Sequence, residues 1–226
     1  MFWRKLLNVV AVALLVLSVP LILLLINIYV LFTPAFLQFE YGRPTFPPAE
    51  GFTSEERLDF AQALVVYMRS DQGISTLQAL VHDDEPLLDT RELVHMADAK
   101  RLLERALSVF WGAATLFALT TVYALWRPEL RAKYPAYVFW GAVILFVGIL
   151  SLAAWAGAAF DSFFYVFHRI FFVGDSGFFL ATASLIRLLP EVFWMDGLVA
   201  WIILALGEAV VVGSAAYLWP GWKHGR

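Results

Sequence analysis

Four long apolar stretches alternate with polar segments along the chain. The first, at 6–32, follows two basic residues and is too long for a signal-peptide core of about 7 to 15 residues. Three more follow at 106–126, 137–160 and 198–218. Because a helix needs about 20 apolar residues to cross a bilayer, the pattern predicts four membrane-spanning helices.

These stretches and the polar segments between them predict a mainly α, polytopic membrane protein. Its expected regions are a first transmembrane helix (1–33), a small, mostly helical extracytoplasmic domain (34–105), the second and third transmembrane helices with a short cytoplasmic loop (106–160), an interfacial aromatic helix with an outer loop (161–197), and a fourth transmembrane helix with a cytoplasmic tail (198–226).

Within the polar segment, the pattern indicates a short extended piece at 38–41 and then a helix. Thr53 and Glu56 have the spacing of a capping box, and apolar residues at helical intervals follow. We therefore expect a helix over 54–70, ended by Gly73, and after it an acidic turn that begins at His82.

A second capping-box spacing occurs at Asp89 and Glu92. No proline follows until Pro128, so one helix is expected to run from Thr90 into the second span. His95 lies on this helix.

Composition narrows the protein class further. Apolar residues make up 61% of the 226-residue chain, against roughly 45 to 50% in soluble domains. The net charge of -3 gives no reason to expect a nucleic-acid partner, which would call for a basic face. With no cysteine in the sequence, disulfides, thiolate metal sites and a cysteine nucleophile are excluded.

The basic residues near the spans predict the orientation in the cell membrane. In a four-span model they all fall on one side, where the positive-inside rule places the cytoplasm. These residues are Arg4, Lys5, Arg127, Arg131, Lys133, Lys223 and Arg226. Both termini are therefore expected to be cytoplasmic, with the polar domain and the segment around His168 on the extracytoplasmic face.

The stretch FDSFFYVFHRIFF, at 160–172, places a histidine among many aromatic residues. On a helix, one stripe would carry four phenylalanines, and the neighbouring stripe would carry Asp161, Tyr165 and His168. Aromatic residues concentrate at the bilayer interface, so contact with membrane lipids is expected. The stretch is compatible either with simple anchoring or with a chemical site on the second stripe.

Three other patterns suggest chemistry and have simpler interpretations. Glu208, near the middle of the fourth span, is a functional candidate by position, although we favour pairing with another helix over proton transport. The GDSG sequence at 174–177 resembles a protease serine motif, but a glycine-bounded turn is the better interpretation. A mononuclear metal site could be built from His95, Asp98 and His168, but this ligand set is incomplete, so no metal is expected.

Three segments together resemble a known family. LVHMADAKRLL at 93–103, FDSFFYVFHRIFF at 160–172 and LIRLLPEVFW at 185–194 are similar to segments of bacterial four-span membrane proteins that include the lipoprotein intramolecular transacylases. The resemblance implies a helical membrane bundle with an extracytoplasmic domain. At 179–183 the chain departs from the acidic, proline-containing turn of the family pattern.

The resemblance also implies a reaction and its residues. Family members move the sn-2 acyl chain of a diacylglyceryl-modified N-terminal Cys onto the α-amine of that Cys, which gives a lyso-form lipoprotein. The two functional histidines of the family fall on His95 and His168. Asp98, Asp161 and Tyr165 are candidates to fix the imidazole tautomers, and Arg169 and Arg187 are further supporting candidates.

Acyl transfer from an ester to an amine needs a base for the amine and a donor for the developing oxyanion, and imidazoles can supply both near neutral pH. No cofactor is required. The expected partners are a diacylglyceryl lipoprotein substrate and membrane lipids. A non-catalytic binding or structural module, or another lipid-ester-processing enzyme, remains the alternative.

Overall fold

The computed structural model describes residues 2–172 and 177–219. Within these residues the helices and strands are α1 (Phe2–Ile26), α2 (Ile28–Leu31), α3 (Pro34–Tyr41), α4 (Ser54–Arg69), α5 (Ser75–Gln78), β1 (Val81–His82), β2 (Glu85–Pro86), α6 (Thr90–Trp126), α7 (Pro128–Arg131), α8 (Tyr134–Ala158), α9 (Phe160–Phe171), α10 (Ser184–Leu188) and α11 (Glu191–Leu218).

Four of these helices, α1, α6, α8 and α11, are long and apolar enough to cross a membrane. The predicted mainly α fold with four spans is therefore confirmed, and the protein is a multi-pass membrane protein. Helix α6 is much longer than a bilayer requires, and its apolar, membrane-spanning part begins near Ala106. The first four turns of α6, which carry His95, precede that part.

The chain divides into two compact units. The first, the span unit, consists of 1–28, 106–155 and 201–226. The second, the histidine unit, consists of 29–105 and 156–200.

Close helix packing and a few polar contacts hold the span unit together. A Cβ at Gly141 would lie 2.7 Å from the Cβ of Val19, so only glycine permits this approach of α8 to α1. At one end of these helices, the Arg4 guanidinium donates to the Glu129 carboxylate over 2.8 Å. Leu145, Ile149, Ala205 and Ala209 form a buried cluster between α8 and α11.

The predicted role of Glu208 in pairing helices agrees with the structure. The side-chain amide of Asn27 donates to the Glu208 carboxylate over 2.9 Å and to the Leu23 carbonyl over 3.0 Å. Asn27 is almost completely buried. An unpaired amide would be costly there, and these two acceptors take both N–H groups of the Asn27 side chain.

In the histidine unit, α4 packs against α3, α5 and α10. Its capping box is confirmed, because Thr53 and Glu56 exchange hydrogen bonds as expected. The helix ends at Arg69, before Gly73. The expected extended piece at 38–41 is wrong: Thr33 caps the helix α3, Pro34 begins it, and the sequence continues as helix to Tyr41.

The acidic turn after α5 is a two-residue hairpin. Val81 pairs with Pro86 and His82 with Glu85, and the turn residues Asp83 and Asp84 both have positive φ. Aspartate tolerates that conformation better than most residues, which explains the acidic pair at the turn. The hairpin leads directly into the cap of α6.

Candidate active site

Helix α9 fixes the ring of His168 through its own backbone. His168 Nδ1 lies 2.9 Å from the Phe164 carbonyl oxygen one turn earlier. A carbonyl can only accept, so Nδ1 carries the hydrogen of the neutral ring, and Nε2 has the lone pair. His168 is 6% exposed. The structure thus contains a buried imidazole whose Nε2 is a base.

Aromatic rings surround this imidazole. The ring centroid of His168 lies 4.1 Å from Phe164, 5.2 Å from Phe172 and 5.6 Å from Phe178. Burial among them lowers the pKa of His168 below its usual value, and the hydrogen bond to the Phe164 carbonyl opposes the shift. The two neighbouring stripes predicted on α9 are in contact at this point, since the Phe164 ring packs on His168 one turn later.

His95 stands beside His168. Their ring centroids are 6.0 Å apart and their planes differ by 18°. Phe172 contacts the His95 ring at 4.7 Å and Phe179 at 5.4 Å. Burial, together with a smaller effect of the neighbouring His168, lowers the pKa of His95 to about 4, while Asp98 opposes the shift. Both imidazoles are therefore neutral near pH 7.

One polar atom of His95 is buried without a partner. Among the described residues, nothing hydrogen-bonds to its Nδ1. Buried polar groups in folded proteins nearly always have a partner, and the exceptions mark functional sites or positions that a ligand or water completes. This atom is thus suited to a hydrogen bond with a bound molecule.

The start of α6 holds the segment that covers the histidines. Glu92 accepts at one carboxylate oxygen from the Asp89 N–H and at the other from the Leu185 N–H, both over 2.8 Å. Arg91 donates to the Phe178 carbonyl over 3.1 Å. Two consecutive residues on the His95 helix therefore hold both ends of the segment 178–185.

Position 177 requires a glycine because its backbone lies very close to the His168 ring. A Cβ at this position would lie 2.2 Å from Cδ2 of the imidazole and 3.2 Å from Nε2. Such an approach is impossible without moving the ring. The other three residues of the GDSG sequence, 174–176, lie outside the described residues, so the expected turn there is not described.

The acidic and phenolic candidates do not fix the histidine tautomers. Asp98 forms an ion pair with Arg101 and does not hydrogen-bond to His95 Nδ1. Asp161 is exposed, and Tyr165 stacks on Phe178. The tautomer of His168 is fixed instead by a backbone carbonyl.

The two basic candidates have different surroundings. Arg169 is exposed on α9. Arg187 donates to the Glu50 carbonyl, and its guanidinium lies 4.3 Å from the Phe52 ring centroid. Arg187 therefore anchors the turn before α4. Across residues 2–172 and 177–219, no three metal-ligating side chains of the types His, Cys, Asp or Glu are grouped as a metal site would require.

Sequence reasoning missed several parts of the site: Gly177, the Phe164 carbonyl, and the hold of Arg91 and Glu92 on 178–185. The capping-box spacing did identify Glu92, but it assigned only one of its two hydrogen bonds. A backbone acceptor leaves no mark in the side-chain pattern.

A family model described as "Lipoprotein intramolecular transacylase Lit" matches residues 11–194 of this chain, which is most of its length. An uncharacterized protein of Aquifex aeolicus (strain VF5) is 29% identical over 231 residues, and the alignment covers 99% of each chain.

Solved structures share the fold. The membrane integral lipoprotein intramolecular transacylase Lit from Bacillus cereus is 19% identical, with a TM-score of 0.77 over 92% of this chain and 93% of that one. A structure of the same Bacillus cereus protein with one histidine changed to alanine has a TM-score of 0.78 at 18% identity, over 99% and 98% of the two chains.

Proposed function

This chain belongs to the lipoprotein intramolecular transacylase family of membrane acyltransferases, and from that premise we propose that it acts on a diacylglyceryl lipoprotein. The proposed reaction moves the sn-2 acyl chain from the glyceryl group to the α-amine of the same N-terminal Cys. Its product is a lyso-form lipoprotein with an N-acylated Cys.

The observation that carries the proposal is the pair of neutral, stacked imidazoles with complementary atoms. His168 has a base at Nε2 because its Nδ1–H is bound to the Phe164 carbonyl. The centroid of the His95 ring lies 6.0 Å from that of His168, and Nδ1 of His95 is buried and has no partner among the described residues. Acyl transfer requires one group of each kind.

The proposed steps balance as follows. The neutral α-amine attacks the sn-2 ester carbonyl, and Nε2 of His168 takes a proton from the amine as the C–N bond forms. His95, with its hydrogen on Nδ1, donates to the oxyanion of the tetrahedral intermediate. As the ester C–O bond breaks, the His168 imidazolium returns the proton to the departing glyceryl oxygen, so the enzyme ends unchanged.

Proximity supports a mechanism without a covalent acyl-enzyme. The amine and the ester belong to one substrate molecule, and holding them together can contribute about 7 to 11 kcal/mol to lowering the barrier. The phenylalanine rings around the two histidines, including Phe164 and Phe172, exclude water that would otherwise hydrolyse the ester. An acid-base pair therefore suffices, and the absence of cysteine in this chain is compatible with it.

We place both termini in the cytoplasm and the histidine pair at the extracytoplasmic face, where lipoproteins carry their lipid. The basic residues near the spans support this, among them Arg127, Arg131 and Lys133, whereas Lys223 and Arg226 lie outside the described residues. The chain has no cysteine, so Asp84→Cys and Arg131→Cys give single labelling sites. Labelling of position 131 from outside would overturn this orientation.

The activity is tested in a host that lacks lipoprotein N-acylation. The chain is expressed there, and the N-terminal peptide of an abundant lipoprotein is analysed by mass spectrometry. We expect an acyl group on the Cys α-amine and a single remaining ester on the glyceryl group. A lipoprotein that keeps both esters and a free amine, despite normal amounts of the protein in the membrane, would refute the activity.

Variants then test the assignment of roles. His168→Asn and His95→Asn should each abolish the mass change without reducing the amount of folded protein. His82→Asn is the matched control, because His82 lies in the same unit but contacts Phe52 and Phe60 instead of the histidine pair. Loss of product in the control as well would show that the effect is not specific to the pair.

A further inference from the structure

An open groove of about 720 Å³ lies in the histidine unit. One wall is the start of α6 with the residues before it, 86–93. The other wall consists of Phe179, Leu180 and residues 182–184, and Gln78 contributes to the lining. We call this the polar groove. Its volume is in the range of roughly 300 to 1,000 Å³ that is typical of ligand-binding pockets.

The polar groove adjoins the histidine pair. The Phe179 ring lines the groove and also contacts the His95 ring, with centroids 5.4 Å apart. Glu92, which lines the groove as well, lies on α6 one turn before His95. Both carboxylate oxygens of Glu92 are held by backbone N–H groups, so this residue fixes the two walls to each other.

The groove and the surroundings of the histidines differ in chemistry. Phenylalanine rings dominate around the two imidazoles, and they suit acyl chains. Half of the groove's 14 lining residues are apolar, and the others include Thr90, Thr182, Ser184 and Asp89, which add side-chain oxygens; one Asp89 oxygen already accepts from the Glu92 N–H. A bound segment with many N–H and C=O groups finds partners in the groove that it would lack among the rings.

We propose that the polar groove binds the polypeptide that continues from the lipid-modified Cys. The inference rests on the proposed function, in which the acceptor amine belongs to a residue with acyl chains on one side and a peptide on the other. The rings receive the acyl chains, and the peptide leaves past Phe179 along α6. Hydroxyl and carboxylate groups contact the peptide backbone, so the groove accepts lipoproteins of different sequence.

Two synthetic substrates with the same diacylglyceryl group test the proposal. One is the lipid-modified Cys amide alone, and the other carries a tail of several residues after the Cys. The purified full-length protein in lipid nanodiscs should convert both, with the lower KM for the tailed substrate. Filling the groove in Gln78→Trp or Thr182→Trp should raise the KM for the tailed substrate about tenfold, equivalent to ~1.4 kcal/mol of lost binding.

The same variants should leave kcat, and the KM of the Cys amide, unchanged. Gln72→Trp is the matched control: Gln72 is also an exposed glutamine of this unit, but it does not line the groove. Thermal unfolding of each variant shows whether the tryptophan is tolerated, and the ratio of the two KM values is independent of how much protein is folded.

The outcomes separate this inference from the function on which it rests. If wild-type protein converts neither substrate, the proposed function fails and the inference with it. If it converts both with equal KM, or if the groove variants raise both KM values equally, acyl transfer stands and the groove does not bind the peptide. A selective effect on the tailed substrate supports the peptide subsite.

Discussion

Two polar pairs in this protein join residues far apart in sequence, and they differ in what they leave unsatisfied. In the span unit, the Asn27 amide donates to both Glu208 and the Leu23 carbonyl. In the histidine unit, the rings of His95 and His168 stack, but Nδ1 of His95 lacks a partner among the described residues. A polar pair with its hydrogen bonds made stabilises the fold, whereas a buried atom without a partner is free to bond a bound molecule.

The difference also follows from the surroundings. Both N–H groups of the Asn27 amide find acceptors within their own unit, at Glu208 and the Leu23 carbonyl. The two histidines are neutral and enclosed by aromatic rings. A hydrogen bond made by one of their remaining donor or acceptor atoms is stronger in this low-dielectric environment than in water. The proposed site therefore lies outside the apolar part of the spans, and the histidine pair differs from the Asn27–Glu208 pair in its open hydrogen-bonding atoms.

The largest expected effect comes from removing the proposed general base. His168→Asn should lower kcat about 10² to 10⁴-fold, the usual contribution of a positioned general base, because the asparagine amide cannot accept the proton. The melting temperature should change little, since the amide can still donate to the Phe164 carbonyl. Activity is followed with a diacylglyceryl lipopeptide. Full activity with unchanged stability would remove His168 from the mechanism.

The next effect tests how tightly the ring is placed. In Gly177→Ala the new Cβ would lie 2.2 Å from Cδ2 of His168, so the imidazole must shift. Displacing a reacting group by about 1 Å can cost 10²-fold in rate, and we expect a loss in kcat of this order.

Gly157→Ala is the control for this change, because a Cβ at Gly157 would meet no described atom within 4 Å. It adds the same methyl group to the same unit and should leave kcat unchanged. If Gly177→Ala retained wild-type kcat, the ring would not be confined as the structure indicates.

Substitution in the Asn27–Glu208 pair should change stability and leave kcat unchanged. Asn27→Leu leaves the Glu208 carboxyl without its donor and should destabilise the protein by about 1 to 3 kcal/mol, with kcat unchanged once the protein is folded. Glu208→Gln keeps an acceptor for the Asn27 amide and should cost much less. Thermal unfolding in nanodiscs, with activity measured well below the melting temperature, checks both. A large fall in kcat in folded Asn27→Leu would contradict the comparison.

Most of the fold could be predicted because it depends on local patterns. Apolar length predicted the four spans, and capping-box spacing predicted the starts of α4 and α6. The prediction at 38–41 was wrong because the Thr33 cap and Pro34 begin a helix that continues through these four residues. The family resemblance also predicted His95 and His168 as the functional pair, and the structure places their rings side by side.

The arrangement around the histidines could not be predicted, because it depends on tertiary contacts. Asp98 is near His95 in sequence, yet it pairs with Arg101. The acceptor for His168 is a backbone carbonyl, and the requirement for Gly177 depends on where the imidazole lies. Sequence spacing on one helix cannot reveal a contact from another segment.

The smallest effect concerns pH. The pKa of His95 falls to about 4 on folding because burial disfavours the imidazolium, while an unfolded histidine titrates near 6.5. Between these values the unfolded state binds a proton that the folded state does not, so the free energy of unfolding must fall as pH decreases from about 6.5 to 4. Carboxylates titrate near the lower end of this window, so the informative quantity is the difference between wild type and His95→Asn. That variant should lose less stability on acidification than the wild-type protein. The measurement is the melting temperature of both proteins in nanodiscs across this window.

The Asn27–Glu208 pair supplies the matched contrast, since Asn27 does not titrate and Asn27→Leu should leave the histidine contribution to this pH dependence in place. If the wild-type protein and His95→Asn had parallel pH profiles, His95 would bind protons as readily in the folded state as in the unfolded one. The distinction between the hydrogen-bonded Asn27–Glu208 pair and the desolvated histidine pair would then not hold.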